Sequence, residues 1–166
     1  MIRSAIVMGV LFSCATAFAD DAKAPAMPAP DAALDAVKPM LKSWSCTGTN
    51  MAGEKGSAKL TYKKELGGFW FSLDIKVAKT KGMPEFDGMA MFGLDPVKKD
   101  WVMEGFDSFG GTLHVRSKDG MAWTGTSVDQ GKETPTTLTL GMDAKTKHHT
   151  FSAVVNGQKA FDYDCK

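Results

Sequence analysis

The sequence predicts an all-β, up-and-down antiparallel barrel of about 8–10 strands with a short N-terminal helix. Three observations carry this. From Trp44 almost to the C-terminus, apolar and polar residues alternate with a period of two, the signature of strands with one dry face. The alternating runs are separated by short turn signals such as Asp119-Gly120, Gly131-Lys132 and Asn156-Gly157, so consecutive strands are joined as hairpins. No helical pattern interrupts the series, so no long crossover is available. A long meander left open would present two unpaired edges, and closure removes them.

The elements follow in chain order. Residues 1–19 read as a secretory signal peptide: Arg3 is the basic end, Ala5 to Phe12 the apolar run, and Ala17-Phe18-Ala19 the cleavage signal. The variant reading is a lipoprotein, with Leu11-Phe12-Ser13-Cys14 as lipobox. The apolar run is too short for a membrane span, and none of the later stretches reaches the length a span needs. Secretion or a periplasmic location follows. Residues 20–30 are Ala/Pro-rich and aperiodic, a flexible linker. Residues 31–166 are then a single domain, a size that supports one core.

Asp31 is positioned as a helix N-cap, and Leu34, Val37 and Leu41 share one helical face. Pro39 weakens the second half, and the helix ends before Trp44. Strands are expected near 44–50, 57–65, 69–78, 86–94, 100–107, 112–117, 121–128, 135–142, 148–155 and 159–165. The clearest is 69–78, where Phe69, Phe71, Leu73, Ile75 and Val77 alternate with Trp70, Ser72, Asp74, Lys76 and Ala78. The segments 86–94 and 101–106 are apolar on both faces, so their outer face needs a cover. The N-terminal helix is the expected cover; a second copy, in a homodimer through the outer face near 86–106, is the alternative.

Three cysteines are present, Cys14, Cys46 and Cys165. Signal cleavage leaves Cys46 and Cys165, and an even pair in an oxidising compartment predicts a disulfide at the barrel seam. The alternative is two separate buried thiols. No C-x-x-C spacing points to redox catalysis or zinc.

Leu41-x-x-Trp44-x-Cys46-x-Gly48, Gly67-Gly68-Phe69, Gly88-x-x-x-Phe92-Gly93-Leu94-Asp95 and Trp101-x-x-Glu104-x-Phe106-Asp107-Ser108-x-Gly110-Gly111 occur in this order. The pattern resembles a bacterial domain-of-unknown-function family with a calycin-like (lipocalin-related) barrel, over roughly residues 34–165. The resemblance implies a closed barrel with a small apolar interior and says little about activity.

Composition and motifs narrow the chemistry. Apolar residues make up 43% and charged residues 23% of the chain, and 20 basic residues face 19 acidic ones. There is no basic excess of the kind nucleic-acid binding requires. Gly125-x-Ser127-x-Asp129 lacks the second glycine of a nucleophile elbow. Gly48 and Gly53 are followed by Glu54 where a phosphate loop needs lysine. His148 and His149 are adjacent on a strand and point to opposite faces; His149 shares a face with Phe151 and His114 faces solvent. No cofactor is expected, with haem on His149 or Cu(I) on the Met89-x-Met91 pair as the alternatives.

What remains is a stock of apolar side chains suited to a ligand. Phe71, Leu73, Met89, Met91, Trp101, Met103, Trp123, Phe151 and Tyr163 are the lining candidates. Glu104, Asp107, Arg116 and His149 are the polar candidates, and 106–111 is a hairpin tip able to form a lid at the mouth. The expected function is an exported, non-catalytic barrel that binds a small apolar or amphipathic molecule. The alternatives are a filled barrel acting as a structural or protein-interaction module and, third, a small-molecule enzyme using Glu104, Asp107 or His149.

Overall fold

Ten antiparallel strands pair in sequence order, and the last pairs with the first to close a barrel. The computed structural model describes residues 29–50, 52–143 and 145–166; the expected signal peptide, Cys14, the cleavage site and most of the linker lie outside them. The strands are β1 (Ser43–Asn50), β2 (Lys55–Glu65), β3 (Trp70–Val77), β4 (Phe86–Leu94), β5 (Trp101–Asp107), β6 (Thr112–Ser117), β7 (Ala122–Asp129), β8 (Lys132–Met142), β9 (His149–Val155) and β10 (Gln158–Cys165). Every strand that the period-two pattern predicts is present. Inward positions are mostly apolar, with His149, Asn50 and Thr136 among the exceptions, while outward positions of β2 such as Lys59, Thr61 and Lys63 are polar. Among the described residues, no helix is long and apolar enough to cross a membrane.

Cys46 and Cys165 stand directly opposite each other across β1 and β10 and are disulfide-bonded. The bond therefore ties the two strands whose pairing closes the barrel.

The N-terminal helix is a 3-10 helix, Ala32–Met40, rather than an α-helix. Asp31 caps it as expected, its carboxylate accepting the Ala33 N–H at 2.9 Å. The buried residues are Leu34, Val37 and Met40, spaced by three, the repeat of a 3-10 turn. Leu41, assigned to the buried face by the α-helical period, is only half-buried. Pro39 has no N–H to donate, which disfavours a regular α-helical last turn.

This helix does not cover the outer face of β4 and β5. Its three buried side chains join the barrel core, the Trp44 indole N–H donates to the Met40 carbonyl at 2.9 Å, and Asp31 pairs with Lys99 in the β4–β5 turn. The helix thus closes one end of the barrel. We call this end the floor; it carries the β2–β3, β4–β5, β6–β7 and β8–β9 connections. The opposite end, the mouth, carries the other hairpin turns. On the outer face Met89 and Phe106, directly paired across β4 and β5, stay 49% and 58% exposed.

Candidate ligand-binding cavity

The barrel interior is divided by side-chain size. In the floor half, Phe92 stacks on Phe71 at 5.5 Å between ring centroids and meets Tyr62 and Trp123 edge-on at 6.2 and 6.1 Å. Trp101 lies 6.4 Å from both Phe92 and Trp123. Beneath them Trp44 packs on His149 at 5.3 Å. With the helix below, these rings fill the floor.

The mouth half is walled by smaller groups. Ala58, Ala90, Ala153, Ala160, Gly88 and Gly105 take inward positions there, alongside Leu73, Val77, Met103, Leu138 and Phe151. The result is an apolar cavity of about 650 Å³ that opens at the mouth, within the size range of small-molecule sites. Phe151, Phe161 and Tyr163 form one aromatic wall, with centroid separations of 4.7 and 5.8 Å along the series.

The rim is held by two devices. The Glu54 carboxylate accepts the Thr80 hydroxyl at 2.7 Å and the Gly82 N–H at 2.9 Å, tying the β3–β4 loop to the β1–β2 turn. The Thr80 hydroxyl, then the Gly82 N–H and the Asn50 amide, hold this carboxyl below the usual glutamate range. Across the mouth, Asp107 caps its own hairpin tip by accepting the N–H groups of Phe109 and Gly111 at 2.8 and 2.9 Å. Phe109 packs against Phe86 at 6.0 Å.

The sequence candidates fall into distinct places. Leu73, Met103, Phe151 and Tyr163 line the cavity; Met89 borders it from an outward-facing strand position. Phe71, Trp101 and Trp123 face inward but belong to the floor, which is why they are not part of the cavity wall. Met91 is on the outer face, opposite Glu104 on the neighbouring strand, because β4 places Gly88, Ala90 and Phe92 inward.

The polar candidates do not converge. Glu104 faces outward and pairs with His114. Asp107 lies three residues on and is occupied by its turn, so the two carboxylates share no cleft. Arg116 also faces outward: its guanidinium joins Asp95 at 2.8 Å and Asp100 at 3.1 Å through Nε, clamping the β4–β5 turn. The Lys98 N–H, then Arg116 and the Val97 N–H, lower the Asp95 carboxyl to about 2.

His149 is inside, fully buried beneath the aromatic floor. The Gly141 carbonyl can only accept, so Nδ1 carries the proton and donates to it at 2.8 Å. Nε2 therefore accepts the Tyr62 hydroxyl, also at 2.8 Å. Both nitrogens are engaged within the protein, and the ring is a structural link between β2, β8 and β9, placed away from the cavity. Burial, partly opposed by the Gly141 bond, pushes its pKa below the ordinary histidine value.

Sequence reasoning missed the small residues that make the space, Ala58, Ala90 and Ala153 above all. A signal for them exists. In an antiparallel meander, the start of an odd-numbered strand and the end of an even-numbered one lie at the same barrel end. Trp44, Phe71, Trp101 and Trp123 come early in odd strands, and Tyr62 and Phe92 late in even ones, which marks one end as filled and leaves the other to small residues.

No protein-family model matches this chain, and a comparison with curated proteins finds no match. The assignment of the site therefore rests on its own geometry.

Proposed function

We propose that this protein is an exported, non-catalytic, calycin-like barrel that binds a small apolar or amphipathic molecule in the mouth half of its interior. The observation that carries this reading is the 650 Å³ apolar cavity, open at one end, above a floor filled by aromatic rings and the N-terminal helix. The disulfide at the seam suits an oxidising compartment, and the leader pattern in the sequence supports export.

Filling the cavity tests it. Ala90 and Ala153 are inward, about 3% exposed and part of the cavity wall. Ala90→Leu with Ala153→Leu is expected to weaken binding of the neutral fluorophore N-phenyl-1-naphthylamine by about tenfold or more, with little loss of fold because the added methylenes enter empty space. Equal binding by the filled variant would place the fluorophore elsewhere and overturn the reading. Native mass spectrometry of protein taken from its own compartment, with and without reductant, then gives the mass of a bound molecule.

One observation favours a second reading, an interaction module: the exposed Met89–Phe106 pair on the outer face. A second copy seated there would make the protein a dimer in solution, and Phe106→Lys would return it to monomer by sedimentation.

A further inference from the structure

The cavity wall is almost without polar groups that a ligand could use, and the exceptions decide what kind of molecule fits. No Lys, Arg or His side chain among the described residues lines it. The Asn50 amide is spent on the rim, its oxygen accepting the Ala52 and Glu54 N–H groups and its nitrogen donating to Thr80. Thr136 donates to the Thr134 carbonyl at 3.2 Å, so the Ser127 hydroxyl donates to Thr136 at 2.8 Å and neither proton is free. Asp107 is held by its turn, and Thr112 borders the mouth from an exposed position on the outward face of β6, opposite to Leu113 and Val115.

Tyr163 is different. Its residue is 3% exposed, it lines the cavity, and among the described residues its hydroxyl has no hydrogen-bond partner. Its position is also built. Tyr163 lies opposite Gly48 in register, and Gly48 lies opposite Gly56. A Cβ on Gly48 would come within 2.7 Å of the tyrosine ring, and one on Gly56 would stand 3.6 Å from the hydroxyl oxygen. The ring therefore lies over two paired glycines, which leave room for it and fix where its oxygen points.

We propose that the cavity selects neutral, largely apolar molecules bearing one oxygen function (a ketone, ester or alcohol), with the Tyr163 hydroxyl as the recognising donor, and that it discriminates against carboxylates. The inference rests on the cavity reading above. The hydroxyl opens into the cavity, and once a ligand fills that space and excludes water a donor left unpaired is costly, so a ligand oxygen that accepts from Tyr163 is favoured over a bare hydrocarbon. A carboxylate would enter an apolar space with no cation to meet it and would do so only as the neutral acid. Burial raises the pKa of the Tyr163 phenol, which keeps the proton it donates.

The test is displacement of N-phenyl-1-naphthylamine by a chain-matched set: dodecan-2-one, dodecan-1-ol and dodecanoate. Near neutral pH the ketone and alcohol are expected to bind about tenfold or more tighter than dodecanoate, and dodecanoate should gain on them at mildly acidic pH as it becomes neutral. Tyr163→Phe should lower the ratio of ketone to fluorophore affinity by about fivefold. Should that variant fail to fold, Gly56→Ser reads the same quantity, because its added hydroxyl would occupy the Tyr163 proton while keeping the ring. Dodecanoate binding as tightly as the ketone near neutral pH, or an unchanged ratio in the variant, overturns the ligand class and leaves the cavity reading standing. Failure of the fluorophore itself to bind the parent protein would overturn both.

Discussion

At the scale of single residues, the most consequential group is a buried histidine. His149 is neutral, buried and bonded through both nitrogens, to Tyr62 and Gly141. Its pKa in the folded protein lies below the ordinary value. Above about pH 6.5 both folded and unfolded chains hold it neutral, and it contributes no pH dependence. As pH falls below that, the unfolded chain takes up a proton that the folded chain refuses. Stability should fall by up to about 1.4 kcal/mol per pH unit until the folded-state pKa is reached. The carboxylates held low, Glu54, Asp95, Asp100, Asp119 and Asp143, act later. Their contribution is present above their unfolded values and is lost as pH drops from about 4.5 downward. Urea denaturation between pH 7.5 and 5.5, compared between the parent and His149→Gln, isolates this histidine because His114 and His148 are common to both proteins; the variant should show a flatter slope, and an unchanged slope would assign the effect elsewhere. That His149 points inward was legible from the alternation with Phe151. Its partners were not, because Tyr62 is 87 residues away and nothing local encodes that meeting.

Among the elements, strands were legible and the helix only in part. Period two survives because each strand has one face in the core and one in solvent, so 69–78 or 112–117 can be read in isolation. The helix was found through Asp31 and its apolar spacing, but its 3-10 winding moved Met40 into the core in place of Leu41. Its docking site was missed because apolar outer residues on β4 and β5 offered a nearer explanation. In the structure the helix seals the floor, and this separates stability from binding. Met40→Ala removes a side chain that is 0% exposed and should destabilise the fold by about 2–4 kcal/mol in urea. Since the cavity lies at the other end, affinity for N-phenyl-1-naphthylamine should stay within about twofold of the parent protein's. Loss of binding in a folded Met40→Ala protein would show that floor and mouth are coupled.

On the scale of the whole molecule, closure is the organising event. Hairpin-length connections made a meander legible, and the edge argument made a barrel legible, but neither says whether the interior is full. That depends on register, which decides whether the large inward residues of different strands meet at one height. Here they do: Tyr62, Phe71, Phe92, Trp101 and Trp123 form one cluster, so the volume they do not occupy is gathered at the other end. The β1–β10 pairing that fixes this arrangement joins residues far apart in the chain, and loop closure on that scale is slow and entropically costly. The Cys46–Cys165 bond, with a sequence separation of 119, removes most of that cost from the unfolded side. On the chain-entropy treatment its loss should lower stability by about 4–5 kcal/mol. Cys46→Ser with Cys165→Ser, compared with the oxidised protein in urea, measures this directly. Because both cysteines lie at the floor end of the seam, the double variant should bind ligand normally at low denaturant and lose it at a lower urea concentration than the parent. A variant that is equally stable would mean that β1 and β10 are held by their ladder and by the packing of Trp44 and Tyr163 alone.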